Sequence, residues 1–311
     1  MATILITGGT GLIGTALSKS LLDKGHHVII LTRQQNLPAK GNFRYAHWDT
    51  EQQHIDHDAI AGSDHIIHLA GAGVADKRWT DKRKKEIVDS RVKSSELLVK
   101  ALKEVPNQVR SVVSASAIGW YGPDPVIPNP DPFVEEDEAD AGFLGHTCLQ
   151  WEQSIDPVKE LGKRLVKLRT GIVLSSEGGA LEEFRKPLKF GVATILGSGN
   201  QVVSWIHIDD LVRLYIRSIE DEKMDGIFNA VAPKPVSNRE LVLQLAKEVK
   251  GKFYIPMYVP SFVLKLVLGE MSIEVLKSAT VSCNKVRIVD FTFVYPTIEA
   301  AMTSIGPAIM K

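Results

Sequence analysis

Three glycines near the start of the chain have the spacing of a phosphate-binding turn. Gly8, Gly11 and Gly14 follow an apolar run, Thr3 to Thr7, and the last of them lies in an amphipathic stretch that begins at Leu12. This pattern predicts a buried parallel strand, a tight turn and a helix. Gly8 would permit the turn, Gly11 would let the backbone approach a pyrophosphate, and Gly14 would let the helix pack on the strand. Free N–H groups and the helix dipole then favour a dinucleotide; the alternative is a glycine-rich turn that binds nothing.

The residues after the second predicted strand indicate which dinucleotide this is. The helix from Leu12 is predicted to end at Lys24, and Val28 to Leu31 is the next buried strand. Thr32 and Arg33 follow, so they are expected to meet the adenosine ribose. An acidic residue there would bind the ribose 2′-hydroxyl of NAD, whereas an arginine suits the 2′-phosphate of NADP. Arg33 therefore predicts NADP(H) as the cofactor, and the alternative is a solvated surface arginine.

Two later strands would complete the wall of the cofactor site. Phe43 to Trp48 is a third strand, and Asp49 follows it where it could reach the adenine. His65 to Leu69 is a fourth strand followed by small residues, which let a ligand approach the backbone at the carboxyl edge of a doubly wound sheet. The predicted cofactor-binding residues are Gly8, Thr10, Gly11, Leu12, Ile13, Gly14, Thr32, Arg33, Asp49, Leu69, Ala70, Gly71, Ser114 and Gly171.

Composition narrows the classes of partner. The 311 residues are 44% apolar and 24% charged, with 37 acidic and 37 basic side chains, so no basic surplus indicates a nucleic acid or an anionic membrane. We expect a small-molecule substrate and a monomer or homodimer. No apolar run approaches a transmembrane length and the first strand leaves no room for a signal peptide, so we expect a cytoplasmic protein. Cys148 and Cys283 are the only cysteines, too few for a disulfide framework or a structural metal site.

The rest of the chain alternates between strand and helix. Ser111 to Ser116 is predicted as a fifth strand, and the proline-rich, acidic segment behind it as an irregular active-site loop. A helix from Phe143 to Leu161 and strands from Val166 to Val173 and from Val202 to Ile208 follow. We predict an α/β fold, a Rossmann-type doubly wound parallel sheet with a smaller C-terminal α+β substrate lobe. The predicted NADP(H)-binding domain is 1–174, with its sheet completed by about 202–232, and the lobe is 175–201 and 233–311.

Four segments share their pattern with one class of protein: TGGTGLIG at 7–14, HLAG at 68–71, SAS at 114–116 and WIHIDD at 205–210. They resemble the extended short-chain dehydrogenases/reductases, the class that contains nucleotide-sugar epimerases and dehydratases. More narrowly, the chain is similar to a branch called epimerase family proteins, which carry a C-terminal domain of unknown function. The segments that resemble this branch are Arg78-Trp79, Ser90-Arg91, SASAIGWYG at 114–122, Trp151-Glu152 and SWIH at 204–207.

The chain departs from the wider class where the chemistry is expected. In that class it rests on a Ser or Thr and on a Tyr-x-x-x-Lys pair, whose helical spacing places both side chains on one face. The lysine lowers the pKa of the tyrosine, which exchanges a proton with the substrate while hydride moves to or from the nicotinamide. Ser116 matches the serine, but no Tyr-x-x-x-Lys occurs in the chain. With Glu152 as the reference, the two positions hold Leu144 and Cys148.

The resemblance leaves three candidates for catalysis, Ser116, Tyr121 and Arg91. Tyr121 lies just beyond the fifth strand, and its alternative is a loop aromatic packed under the proline-rich segment. Arg91 stands where the class often has an Asn and could supply a fixed charge near the nicotinamide; the alternative is a surface salt bridge. Cys148 could also lie near the ring, but a lone helical cysteine is usually an inert core residue.

Three functions fit these residues. The first is an NADP(H)-dependent oxidoreductase on a small carbonyl or carbinol substrate, and the second is an NADP(H)-binding sensor or scaffold without turnover. The third is a nucleotide-sugar epimerase or dehydratase, although such epimerases commonly have an Arg at the position of Val203. The substrate pocket is expected between the two parts of the chain, with walls that include Ser116, Tyr121, Gly171 and part of Gly178 to Gln201.

Overall fold

The computed structural model describes residues 1–34 and 37–309, without the side chains of residues 307–309. In chain order the strands are β1 (Thr3–Thr7), β2 (His27–Thr32), β3 (Phe43–Asp49), β4 (His54–Ile55), β5 (His65–His68), β6 (Ser111–Ala117), β7 (Arg164–Thr170), β8 (Ile172–Ser175), β9 (Gly178–Gly179), β10 (Val192–Leu196), β11 (Val202–Val203), β12 (Trp205–His207), β13 (Gly226–Ala230), β14 (Val236–Ser237) and β15 (Ile255–Val259). The α-helices are α1 (Leu12–Asp23), α2 (His57–Ala61), α3 (Asp81–Glu104), α4 (Phe143–Ile155), α5 (Ala180–Leu188), α6 (Ile208–Glu220), α7 (Asn238–Lys250), α8 (Ser261–Leu268), α9 (Ser272–Leu276), α10 (Asn284–Ile288) and α11 (Ile298–Ile309).

The main sheet has eight strands in the order β13-β7-β6-β5-β1-β2-β3-β4, and every pair except β3–β4 is parallel. The chain starts in the middle of the sheet, builds one half from β1 to β4, and then returns to β5 on the other side of β1. Strand order therefore reverses between β1 and β5, which is where doubly wound sheets open a crevice at their carboxyl edge. The predicted Rossmann-type sheet is confirmed.

Helices cover both faces of this sheet because its central strands alternate between two apolar cores. Ile4 and Ile6 of β1 face the core that contains α1 and α6, whereas Leu5 faces the core of α2 and α3. A third core belongs to the C-terminal part of the chain, and Trp205 is fully buried in it. Among the described residues, no helix is both long and apolar enough to cross a membrane.

Two predicted strands are divided in the structure. The strand predicted from Val166 to Val173 ends at Thr170, because Gly171 N–H bonds to Ala230 O whereas Ile172 N–H bonds to Ser204 O. The strand predicted from Val202 to Ile208 is split at Ser204 into β11 and β12, which pair with β14 and β8. Of the range 202–232 that was expected to complete the main sheet, β13 alone among its described strands does so.

The helix predicted from Phe143 to Leu161 also changes character. It is α-helical to Ile155 and continues as a 3₁₀-helix over Asp156–Leu161. Pro157 explains this end, since it has no N–H to donate and its ring clashes with the preceding turn. The proline-rich segment between β6 and α4 has no helix or strand beyond the 3₁₀ turn Ile118–Trp120, as predicted.

Candidate functional site

The turn between β1 and α1 is shaped by its three glycines. Gly8 has φ +66°, and the Gly11 N–H donates to Gly8 O over 3.1 Å. A Cβ on Gly14 would lie 2.4 Å from Gly8 O, so only glycine lets α1 pack this closely. A Cβ on Gly11 would meet only Gly8 O, at 3.4 Å, so open space lies beside this backbone. Each of the three glycines therefore has its own structural reason: a positive φ at Gly8, open space at Gly11 and close packing at Gly14.

Helix α1 begins without a side-chain cap. Gly11 is its N-cap residue, and no side chain among the described residues accepts a hydrogen bond from its first N–H groups. Thr10 and Gly11 are exposed, and Leu12 and Ile13 are half-buried. Free N–H groups at a helix start carry partial positive charge and bind phosphate oxygens well. The open backbone at Gly11 and the uncapped helix therefore fit the diphosphate of a dinucleotide.

Thr32 ends β2 and Arg33 follows it, and their contact with the adenosine of such a ligand stays a prediction. Arg33 is exposed, and the Thr32 hydroxyl accepts the Gln34 N–H at 3.2 Å. The nearby Asp49 carboxylate accepts N–H bonds from Glu51 and Gln52, and the Gln52 bond is the main reason that the pKa of Asp49 is lowered. Because Asp49 is occupied within its own turn, a contact with adenine stays a prediction.

The wall after β5 is held by a buried polar chain that the sequence did not suggest. The Thr7 hydroxyl accepts the N–H groups of Leu69 and Ala70, both at 3.0 Å, so its hydrogen is directed to His68 Nδ1 at 2.7 Å. His68 Nε2 then donates to the Ser95 hydroxyl at 3.1 Å. Burial lowers the pKa of His68 to about 3, so the ring is neutral. Pairing of Thr7 with His68 in the β1–β5 register is the feature that joins them.

Arg91 lies behind the same wall and is not the surface salt bridge that was the alternative. Its residue is 9% exposed, and Nη1 donates to Ala72 O at 3.0 Å and to Ile87 O at 2.9 Å. The guanidinium carbon is 4.9 Å from the centre of the Trp151 ring, and a Cβ on Gly71 would be 3.1 Å from it. Burial lowers the pKa of Arg91, although the group stays charged.

Ser116 lies near the carboxyl end of β6, with its hydroxyl donating to Glu152 Oε1 at 2.7 Å. Glu152 in turn accepts Arg169 Nε at 2.8 Å and Nη2 at 3.2 Å, and Lys167 Nζ is 3.4 Å from its other oxygen. All four side chains are buried. Because a carboxylate only accepts hydrogen bonds, the hydroxyl hydrogen of Ser116 is engaged by Glu152. Toward a ligand, Ser116 can therefore act only as a hydrogen-bond acceptor.

The Tyr121 side chain occupies a closed polar cluster, with no exposed surface. Its phenol donates to Asn229 Oδ1 at 2.7 Å and accepts Arg169 Nη1 at 3.1 Å, while its ring stacks on Phe133 of the proline-rich segment. Burial raises the pKa of Tyr121 to about 12, and burial also raises the pKa of Glu135, which accepts the Asn229 N–H. The structure thus places Tyr121 under that segment, and its role in catalysis stays a prediction.

Leu144 and Cys148, the positions that the resemblance assigns to the class tyrosine and lysine, lie in α4 near Gly119, which follows β6. A Cβ on Gly119 would be 3.2 Å from Leu144 Cβ and 3.8 Å from Cys148 Sγ. Cys148 is buried, its thiol donates to Ala117 O at 3.6 Å, and burial raises its pKa to about 12. The two positions therefore offer an apolar side chain and a neutral thiol, and their correspondence to the acid–base pair of the class stays a prediction.

The remaining predicted residues are also buried. Ser114 lies opposite His68 in the β5–β6 register, and its hydroxyl donates to Ala115 O at 3.1 Å. A Cβ on Gly171 would be 2.6 Å from Ser204 O, so this glycine permits close packing of two chain segments. Contacts of Ser114 and Gly171 with a cofactor stay predictions.

A C-terminal segment, residues 277–283, lies against the proline-rich loop; we call it the strap. Asp124 Oδ1 accepts the Thr280 N–H at 2.9 Å, and Oδ2 accepts the hydroxyls of Ser278 and Thr280 at 2.7 and 2.8 Å. On its other side, Ser204 donates to Ala279 O at 2.8 Å and accepts the Val281 N–H at 3.0 Å. The strap therefore ties the loop after β6 to the segment between β11 and β12.

Comparison with known proteins places the chain in a family. Residues 4–144 match the model of the NAD dependent epimerase/dehydratase family, and residues 259–305 match a domain of unknown function, DUF1731. The epimerase family protein SSP1921 of Staphylococcus saprophyticus is 35% identical over 97% of this chain and 98% of its own. The epimerase family protein SAR0825 of Staphylococcus aureus is 33% identical with the same coverage.

The chain belongs to the NAD dependent epimerase/dehydratase family. Among solved structures, the human epimerase family protein SDR39U1, isoform 2, was crystallised with NADPH; it is 26% identical with a TM-score of 0.85 over 98% of this chain and 99% of that one. A nucleoside-diphosphate sugar epimerase from Corynebacterium glutamicum is 32% identical with a TM-score of 0.77, over 98% of this chain and 58% of that one. The predicted family, including its C-terminal domain, is confirmed for this epimerase family chain.

Proposed function

We propose that the protein is an NADP(H)-dependent oxidoreductase that acts on a small carbonyl or carbinol substrate. The observation that carries the proposal is the exposed Arg33 at the carboxyl end of β2, beside an uncapped helix start with open backbone at Gly11. Neither Thr32, which ends β2, nor Arg33, which follows it, is acidic, so neither can accept a hydrogen bond from a ribose 2′-hydroxyl as a carboxylate would. An arginine there suits a 2′-phosphate. The NADPH bound to the human relative supports the same cofactor.

Cofactor choice is tested by titrating the protein with NADPH and NADH and following nicotinamide fluorescence. We expect NADPH to bind at least about tenfold more tightly, since a charge-assisted contact with Arg33 is worth roughly 1.5–3 kcal/mol. Arg33→Ala should remove most of that preference, and Arg110→Ala, at a 66% exposed arginine on the opposite edge of the sheet, should leave it unchanged. Equal affinities in the unmutated protein would refute NADP(H) specificity.

In this proposal the substrate lies at the carboxyl edge of β6, where Ser116 orients it. Because Ser116 donates to Glu152, its oxygen suits the hydroxyl hydrogen of a carbinol better than the oxygen of a carbonyl. A panel of aldehydes, ketones and alcohols, monitored by NADPH consumption or formation, identifies the substrate class. Turnover that survives Ser116→Ala would remove Ser116 from the mechanism, and Tyr121→Phe tests the predicted proton donor in the same assay.

We further propose that the substrate is enclosed between residues 1–174 and the lobe formed by 175–201 and 233–311. The strap and the proline-rich loop lie together beyond β6, which supports this position. Hydrogen exchange with NADPH and then with substrate should protect residues 8–14 first and residues near Ser116 and the Gly178 to Gln201 segment second. Protection of the amino edge of the sheet instead would contradict this proposal, because the substrate would then bind at the opposite edge.

A second candidate is an NADP(H)-binding sensor or scaffold without turnover. Leu144 and the neutral Cys148 thiol favour it, because neither side chain can exchange a proton near neutral pH. Tight NADPH binding together with no turnover across the panel would select this candidate.

A nucleotide-sugar epimerase is the third candidate, and the similarity to the Corynebacterium glutamicum epimerase favours it. Calorimetric titration with UDP-sugars tests whether the protein binds such substrates.

A further inference from the structure

Arg91 is a buried cation that lacks an anionic partner among the described residues. Nη1 donates to two backbone carbonyls, Ala72 O and Ile87 O, and none of the ion pairs among the described residues includes this guanidinium. Its Nε and Nη2 groups donate to no acceptor in the described part of the chain, yet neither is sealed from solvent as Arg83 Nε is. Burying a charge without a counter-ion is costly, so such a group is expected to serve a ligand.

The groups around Arg91 do not cancel its charge. Glu152 is matched by Arg169 and by Lys167, which also pairs with Asp156 at 2.9 Å. Arg83, another cation on α3, contributes to the lowered pKa of Arg91 and is itself paired with Asp76 and Glu86. His68 is neutral because burial lowers its pKa to about 3, and the Cys148 thiol is neutral because burial raises its pKa to about 12. Within the described part of the chain, one positive charge therefore remains uncompensated beside Gly71.

The position of Arg91 relative to the cofactor follows from the sheet order. The uncapped start of α1 would hold the diphosphate, and Arg33 after β2 would hold the adenosine half. The nicotinamide half would then extend in the opposite direction, toward the ends of β5 and β6. Arg91 lies behind Gly71 and Ala72, which follow β5, and against Trp151 of α4, the helix whose Cys148 bonds to the end of β6.

We propose that Arg91 makes the cofactor pocket selective for the oxidation state of the nicotinamide, so that the protein binds NADPH in preference to NADP⁺. The oxidised ring carries a positive charge and the reduced ring carries none. A fixed cation nearby therefore repels only the oxidised form. In a mixture of both forms the protein loads with NADPH, the hydride-donating form. This inference rests on the proposed NADP(H) function and adds a preference that Arg33 cannot supply, since Arg33 serves the adenosine half common to both forms.

The test is a pair of titrations, with NADPH and with NADP⁺, on the unmutated protein and on two variants. We expect NADPH to bind at least about tenfold more tightly, which is the scale of two unit charges several ångströms apart in a protein cleft. Arg91→Gln keeps a donor for Ala72 O and removes the charge, so the ratio should fall toward one, mainly through tighter binding of NADP⁺. Arg91→Lys keeps the charge and should retain most of the ratio.

Lys100→Met is the matched control, because it removes an exposed positive charge from the same helix, and it should leave the ratio unchanged. The NADPH-to-NADH preference, measured on each variant, reports whether the adenosine half of the pocket is intact. Equal binding of NADPH and NADP⁺ by the unmutated protein, with that preference present, would overturn this inference alone. Arg91→Gln that weakens both forms equally would overturn it too, and binding of neither form would overturn the proposed function with it.

Discussion

Arg169 is 1% exposed, and its whole guanidinium is engaged by other parts of the protein. It pairs with Glu152, donates to Tyr121 and Glu135 O, and stacks 3.6 Å from the centre of the Trp120 ring. Desolvation of such a pair offsets much of its attraction, so its presence alone is weak evidence of stability. Removal of one partner is different, because it leaves a buried charge without its counter-ion.

Arg169→Met should therefore lower the free energy of unfolding by about 3–5 kcal/mol, since Lys167 alone does not satisfy Glu152. Urea denaturation followed by circular dichroism measures this. The control is Lys186→Met, which breaks an exposed pair with Glu183 on α5 and should cost less than about 1 kcal/mol. If both variants lose a similar free energy of unfolding, the buried Arg169 network contributes no more to stability than an exposed ion pair.

At the scale of elements, two glycines of the β1-turn-α1 unit are expected to have different roles: Gly14 in the stability of the fold and Gly11 in ligand binding. Gly14→Ala places a Cβ 2.4 Å from Gly8 O, so α1 must move away from β1. Gly11→Ala adds a Cβ with only one neighbour, at 3.4 Å, and its φ of −80° suits any residue. We expect Gly14→Ala to destabilise the fold by about 2 kcal/mol or more.

Gly11→Ala should instead leave the melting temperature within a few degrees and weaken NADPH binding by roughly tenfold or more, because the added methyl lies where the diphosphate approaches the backbone. Thermal denaturation and fluorescence titration on the same two proteins separate the effects. An alanine at 11 that binds NADPH normally would show that this turn does not contact the cofactor closely.

The strap joins elements that are far apart in sequence, and Asp124 is its main anchor. Asp124→Ala removes the acceptor for the Thr280 N–H and for two hydroxyls. We expect the Thr280 amide to exchange roughly ten- to a hundredfold faster, as loss of about 1–3 kcal/mol implies, with no change in β1 or β5. Asp131→Ala, an exposed carboxylate in the same loop, is the control. Unchanged exchange at Thr280 would show that the other bonds of the strap, to Ser204, Val202 and Phe133, hold it without the Asp124 side chain.

For the whole molecule, buried neutral histidines predict how stability depends on pH. Burial lowers the pKa of His68 to about 3 and that of His65 to about 4, from 6.5 in the unfolded chain. Between pH 6.5 and 4 the unfolded state therefore binds more protons than the folded state. Stability is fully present above pH 6.5 and is lost as the pH falls, by roughly 1.4 kcal/mol per pH unit for each histidine.

His68→Gln keeps hydrogen-bonding groups beside Thr7 and removes one titration. Its unfolding free energy, measured by urea at several values between pH 7.5 and 4.5, should fall less steeply by about 1.4 kcal/mol per pH unit than that of the unmutated protein. A variant with the same slope would mean that His68 is protonated in the folded protein, contrary to its buried contacts with Thr7 and Ser95.

The sequence by itself determined the features that depend on neighbours along the chain. Apolar runs predicted β1, β2 and β5, and glycine spacing predicted the turn before α1, because strand burial and tight turns constrain the residues that form them. The absence of a Tyr-x-x-x-Lys pair is likewise a property of the sequence alone.

Tertiary structure decided which side chains meet. The change of partners at Gly171 and Ser204 depends on Ala230 and on the strap, which are 59 and about 75 positions away along the chain. Tyr121 is fully buried, and the acceptor of its phenol is Asn229, which is 108 residues later in the chain. Among the residues that the structure describes, Arg91 has no counter-ion, and the carboxylates of Glu152 and Asp76 are paired with Arg169, Lys167 and Arg83 instead. Long-range pairing of buried charges is set by packing, which local sequence patterns do not record.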